Sequence, residues 1–192
     1  MRIVAGEFKG RVIEAPKGRD TRPTGDRVRE SMMSAVSSRL GGLAGESVLD
    51  AFAGSGALGL EALSRGAEHA TFFETDRKAQ DALLGNIAAL GVRDRTTVVR
   101  GDIVRAADRN AIPNSPFTLL FLDPPYRLGR DSTCALMSAL AGVGALAKDA
   151  LVVYESSSGG AEIEAPPGFS FESSKRFGDT TITMLVFESG ER

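Results

Sequence analysis

The chain has 192 residues, 42% of them apolar, and no stretch approaches the ~18 uninterrupted apolar residues of a membrane span, which excludes a helical membrane protein. Its length suits one domain with a small extension and leaves little room for a separate recognition module. A net charge of −2 excludes a uniformly basic coat for nucleic acid, and one cysteine, Cys134, excludes an internal disulfide and, without clustered histidines, a zinc site.

Charge is unevenly distributed. Residues 1–39 hold nine Lys/Arg against five Asp/Glu, a balance of +4, so the remainder carries −6. This asymmetry predicts that the N-terminal segment faces a polyanion while the rest of the surface does not. The start, Met1-Arg-Ile-Val-Ala, lacks the basic-then-apolar design of a secretory signal, so a cytoplasmic protein is expected.

In chain order, Ile3-Val4 and Val12-Ile13 flank Gly6–Gly10 and predict a small hairpin. A helix follows, with Thr24 or Asp26 as its cap and Val28, Met32, Met33 and Val36 on one buried face. From Ser47 the chain alternates strands and helices: 47–51 then 57–64, 69–73 then 77–90, 96–99 then 103–109, and 118–122 then 132–140. Strands separated by helices pair in parallel through right-handed crossovers, which predicts an α/β protein with a twisted sheet covered on both faces. Leu151–Tyr154 is a fifth strand. Residues 169–177 and 180–187 flank Gly178-Asp179 and predict a closing antiparallel hairpin.

Leu49-Asp50-Ala-Phe-Ala-Gly54-Ser-Gly56-Ala-Leu-Gly59 ends the first strand and opens the first crossover helix, where glycines let a backbone approach a nucleotide-containing cofactor. The spacing also satisfies the dinucleotide fingerprint, so the loop alone does not name the cofactor. Glu74, 20 positions after Gly54, closes the second strand, where a carboxylate accepts ribose hydroxyls; the competing expectation is that it caps the helix beginning near Asp76. Asp50 favours a cationic amino group over a pyrophosphate, which its charge would repel. Asp102, after the third strand, could accept an adenine amine.

Asp123-Pro124-Pro125-Tyr126 follows the fourth strand, and two prolines stop pairing and stiffen the turn. An exocyclic base amine is a poor nucleophile because its lone pair is delocalised into the ring. Asp123 and the Pro124 carbonyl can accept its two N–H bonds and align the nitrogen with a sulfonium methyl, while Tyr126 stacks on the extruded base.

Taken together, these residues resemble class I S-adenosylmethionine methyltransferases. Gly6–Arg11, Arg22-Pro23-Thr24-Gly-Asp-Arg27-Val28-Arg29-Glu30, Asp50–Arg65, Asp123–Tyr126 and Gly178-Asp179-Thr180 are similar to the bacterial 16S rRNA guanine(966)-N2 methyltransferase family. The chain departs from that family's pattern at Ser31-Met32-Met33, where a Leu-Phe pair is usual. The resemblance implies a seven-stranded Rossmann-like sheet, a guanine N2 amine in 16S rRNA as substrate, and the assembled or assembling 30S particle as partner. An RNA-facing extension over 1–40, a methyltransferase domain over 41–192, and a monomer without metal are expected. Carried over by position, Asp50, Gly54 and Gly56 hold the methionine half of the cofactor, Glu74 its ribose and Asp102 its adenine, with Phe52, Ser55, Thr75 and Ile103 completing the set. Asp123, Pro124, Pro125 and Tyr126 form the catalytic turn. Lys9, Arg11, Arg22, Arg27 and Arg29 are assigned to RNA phosphates, against surface salt bridging for those beside acids.

Three alternatives stay open on the residues alone. The Asp-Pro-Pro-Tyr turn also suits adenine N6 in DNA or a glutamine amide. An NAD-dependent oxidoreductase would use the same glycine loop. An RNA-binding protein without catalysis would use the basic segment.

Overall fold

The computed structural model describes residues 1–15, 25–125, 128–157 and 163–188. Seven strands form one sheet in the order β3-β2-β1-β4-β5-β7-β6. They are β1 (Ser47–Asp50), β2 (His69–Glu74), β3 (Thr96–Arg100), β4 (Phe117–Leu122), β5 (Leu146–Ser157), β6 (Phe169–Phe177) and β7 (Thr180–Phe187). The first five pair in parallel. Their crossovers are α2 (Ala57–Ser64), α3 (Arg77–Leu90), α4 (Ile103–Asp108) and α5 (Arg130–Gly142), while α1 (Asp26–Leu40) precedes the sheet. The β6–β7 hairpin is antiparallel and turns at Gly178, whose φ of 60° suits a residue without Cβ.

Because strand side chains alternate between faces, β1 and β4 feed two cores. Val48, Leu119 and Phe121 meet Met32, Met33 and Val36 of α1, Leu60 and Leu63 of α2, and Leu83 and Ile87 of α3. Leu49, Leu120 and Leu122 meet Ile103 and Ala107 of α4 with Leu136, Met137 and Leu140 of α5. Helices therefore cover both faces, as the βα alternation requires. The departure at Met32-Met33 is absorbed by packing, both residues being at most 1% exposed.

Two local expectations change. The residue preceding α1 is Gly25, and among the described residues no side chain caps the helix; Asp26 lies in the first turn and pairs with Arg29 at 2.9 Å. Thr24 lies outside the described residues. β5 begins at Leu146, five residues earlier than its apolar run, because Asp149 adopts φ 61° and the β4–β5 register shifts between Phe117 and Leu119. That irregularity hides the strand's polar first half from an alternation test.

The N-terminal hairpin is anchored by a buried charge. Arg2 bridges Val12, the Ile3 N–H donates to the Arg11 carbonyl and the Ile3 carbonyl accepts from the Gly10 N–H, but the segment is too short to stand alone. Glu61 of α2, fully buried, accepts the N–H groups of Val4 at 2.8 Å and Ala5 at 3.0 Å and pairs with Arg65 at 3.0 Å and Arg29 at 3.6 Å. Removing it strands two backbone donors and two guanidinium groups in the interior. Glu61→Ala is therefore expected to destabilise the fold by about 3–5 kcal/mol in urea titration. An unchanged midpoint would mean that this charge does not secure the hairpin.

Candidate active site

The parallel register assembles the site at the carboxyl ends of the central strands. Asp50 ends β1 opposite Phe72 of β2 and Phe121 of β4. Glu74 and Asp123 each follow two residues later, so the period of two places all three carboxylates on one face of the same sheet edge. The strand order reverses between β1 and β4, and open α/β sheets bind ligands in that crevice.

The glycine loop is built by packing as much as by openness. A Cβ at Gly59 would lie 2.3 Å from the Phe72 ring, and one at Gly56 would lie 2.4 Å from a Leu83 methyl. These two glycines let α2 approach β2 and α3 closely. At Gly54, with φ 56°, nothing stands within 4 Å, so this is the glycine that opens onto room for a ligand. Ser55 is 5% exposed, and Phe52 packs partly buried against the second core.

Asp50 is 2% exposed, and its Oδ2 accepts the Gly59 N–H at 3.1 Å. Burial pushes its carboxyl up to about 7; the Gly59 bond opposes this and the nearby Glu74 charge adds to it. Glu74 links the end of β2 to the glycine loop after β1. One carboxylate oxygen accepts the Gly54 N–H at 2.8 Å, while the other accepts the N–H groups of Thr75 and Asp76, each at 2.7 Å. The cap of α3 is Asp76, which accepts from Ala79 at 2.9 Å, so Glu74 ties the second strand to the glycine loop instead of serving as that cap. Thr75 is exposed beside it. Asp102 caps α4 by accepting the Val104 N–H at 2.8 Å, and Ile103 is buried below it.

Asp123 opens to solvent at the crevice, with protein on its other sides. That surrounding protein, then Glu155, then Asp50 push its carboxyl up to about 8. Water at the open side screens this, so the upward direction is what bears on chemistry. Pro124 is half-buried, and the Pro125 carbonyl accepts the Leu128 N–H at 2.8 Å, closing the turn. Tyr126 lies outside the described residues. Glu155 is a site residue that pattern reading missed: Tyr154 pairs with Leu122, so Glu155 follows beside Asp123. An acid directly after the apolar run of β5 was the available signal.

The basic residues separate. Lys9 and Arg27 are exposed, and Arg11 is exposed with its guanidinium donating to the Ala89 carbonyl. Arg29 corrects the sequence expectation: it is 1% exposed, donates to the Arg2 carbonyl and pairs with Asp26 and Glu61. A guanidinium enclosed among acids and a carbonyl is structural and does not reach a phosphate. Arg22 lies outside the described residues.

A doubly wound sheet of this order, ending in an antiparallel hairpin and carrying acids at its switch point, defines the class I methyltransferase fold. A family described as "Conserved hypothetical protein 95" matches residues 1–186. YlbH of Bacillus subtilis (strain 168) is 39% identical over 155 residues, spanning 81% of this chain and 82% of YlbH. Ribosomal RNA small subunit methyltransferase D of Escherichia coli (strain K12) is 37% identical over 157 residues, 81% of this chain and 74% of that protein. The solved structure of the Escherichia coli protein yhhF superposes with a TM-score of 0.82 at 32% identity and covers 99% of each chain. The chain belongs to this family, that of the small subunit methyltransferase D proteins, and is a methyltransferase.

Proposed function

We propose that the chain transfers a methyl group from S-adenosylmethionine to the exocyclic N2 amine of guanine 966 in 16S rRNA, within the assembled or assembling 30S subunit. The observation that carries this reading is the convergence of Asp50, Glu74 and Asp123 on one edge of the β1–β4 crevice beside the open cradle at Gly54. A cofactor with a cationic amino-acid end and a ribose fits that donor set. A dinucleotide pyrophosphate fits it poorly, since it would meet the Asp50 and Glu74 carboxylates.

S-adenosylmethionine, when bound, supplies an electrophilic methyl on a sulfonium. Asp50 then faces the ammonium of the methionine half, with Phe52, Ser55 and Gly56 framing it. Glu74 and Thr75 take the ribose, and Asp102 and Ile103 border the adenine. Asp123 and the Pro124 carbonyl accept the N–H bonds of the amine and turn its nitrogen toward the crevice. Pro125 holds the turn. Tyr126 is assigned to stacking on the base by sequence position. After transfer the methylated amine is acidic enough to shed its proton to water or to Asp123. Residues 1–40 present Lys9, Arg11, Arg22 and Arg27 to RNA phosphates, the exposed Lys9 and Arg27 foremost. The names of the relatives support RNA over DNA.

Methyl transfer from labelled cofactor to 30S particles, protein-free 16S rRNA, DNA and release factor tests the reading. Labelling of 16S rRNA at one guanine is expected. Labelling of DNA or protein alone would overturn it, and tight NADH binding without S-adenosylhomocysteine binding would overturn the cofactor.

A further inference from the structure

One buried amide joins the glycine loop to the N-terminal arm. Asn86 of α3 is 3% exposed and 72 residues from Glu14 along the chain. Its Oδ1 accepts the Glu14 N–H at 2.8 Å, and its Nδ2 donates to the Glu14 carbonyl at 3.0 Å and to the Ser55 carbonyl at 3.0 Å. The orientation is dictated by chemistry: only the amide oxygen can accept from an N–H, so the amide nitrogen must face the two carbonyls. Asn86 thus pairs with Glu14 as a strand neighbour would, holding both its backbone groups, while its remaining donor is committed to the loop.

These contacts join the two halves of the proposed site. Ser55 stands between Gly54, which opens onto ligand room, and Gly56, which is wedged against Leu83. Glu14 is two residues before the segment 16–24, which carries Arg22 in sequence. Glu14 itself is exposed, so its side chain contributes no burial that would hold this part of the arm. Just after Ile13, which is 1% exposed, Glu14 is held by its two backbone bonds to Asn86.

We infer that Asn86 is a positioning residue that couples the cofactor loop to the substrate-facing arm, so that a ligand ordering the loop also orders residues 11–15. A group shared between two segments transmits order from one to the other, and the coupling is reciprocal. The inference rests on the methyltransferase reading for its ligand, but the arm's response can be read without any RNA.

The test uses the full chain, with S-adenosylhomocysteine as probe, in wild type, Asn86→Ala and Glu14→Pro. Glu14→Pro removes the N–H that Oδ1 accepts and leaves the Ser55 bond in place. Hydrogen exchange followed by mass spectrometry is expected to slow about threefold or more over residues 11–15 when the probe binds wild type, the scale of one hydrogen bond. Asn86→Ala should lose this response, and calorimetry should show its probe affinity weakened about three- to tenfold. Glu14→Pro should also lose the response yet bind the probe within about twofold of wild type, because the loop keeps its amide. With 16S rRNA, both variants should raise KM more than they lower kcat. Probe binding without a change in arm exchange in wild type would overturn the coupling alone. A change in Asn86→Ala confined to its thermal midpoint would do the same. Failure of wild type to bind the probe would overturn the functional reading and the coupling together, whereas transfer to a substrate other than 16S rRNA would overturn only the former.

Discussion

Asp123→Ala is expected to reduce methyl transfer by about 10³-fold or more, while S-adenosylhomocysteine affinity and the thermal midpoint stay near those of wild type. The magnitude follows from what Asp123 would supply. An exocyclic amine must present a lone pair that resonance otherwise holds in the ring plane. A carboxylate accepting one N–H, beside a proline carbonyl accepting the other, favours the geometry in which that pair is available. Stability should survive because Asp123 is open to solvent on one side and its ionised form is already disfavoured by the surrounding protein, then by Glu155 and Asp50. Asp123→Asn provides a sharper contrast. It keeps an acceptor oxygen and loses the charge, so it should retain more transfer than alanine if alignment dominates. Equal losses in the two variants would assign the effect to charge or proton acceptance, and wild-type rates in either would remove Asp123 from the chemistry. Single-turnover transfer with each variant at saturating cofactor reads these outcomes.

Cofactor binding should tighten as pH rises through about 7, the value to which burial pushes Asp50. The sign follows from the protonation states. Below this value the buried carboxyl holds its proton and offers no charge to an ammonium; above it the carboxylate is present without further work. A cation binding beside it favours ionisation, so binding releases a proton on the acid side. Affinity measured by calorimetry should then rise about tenfold per pH unit below 7 and flatten above it. Asp50→Asn should bind more weakly at pH 8 and show little dependence on pH across this range. A wild-type affinity independent of pH between 6 and 8 would show that Asp50 does not face the cationic end of the cofactor.

Much of the architecture was legible because it depends on periods that the chain displays directly. Helices α2 and α3 and both strands of the closing hairpin begin and end at the residues that alternation and turn signals indicate. β5 was legible only from Leu151, since Lys148 and Asp149 break the apolar run and the left-handed Asp149 interrupts the strand geometry. The candidate site was legible where a residue's place follows from its strand: Asp50, Glu74 and Asp123 stand at strand ends, and parallel register brings them together. Roles set by contacts far along the chain were not. Arg29 read as one more cation in a basic segment, although Glu61, 32 positions away, encloses it. At Gly56 and Gly59, Leu83 and Phe72 exclude a side chain, a packing constraint that the loop's spacing does not display. Glu155 became visible only when β4 and β5 paired.

By itself, then, the sequence determined an α/β sheet with four helical crossovers, a glycine loop after its first strand and an Asp-Pro-Pro turn after its fourth. All of these are local patterns, readable within a window of a dozen residues. Tertiary structure decided which of those residues meet. It brought three carboxylates to one edge, withdrew Arg29 from the surface to balance Glu61, and let Asn86 hold Glu14 and Ser55 at once. The physical reason is that charge and hydrogen-bond partners act over a few ångströms in space, and separation along the chain says little about that distance until the strands are paired.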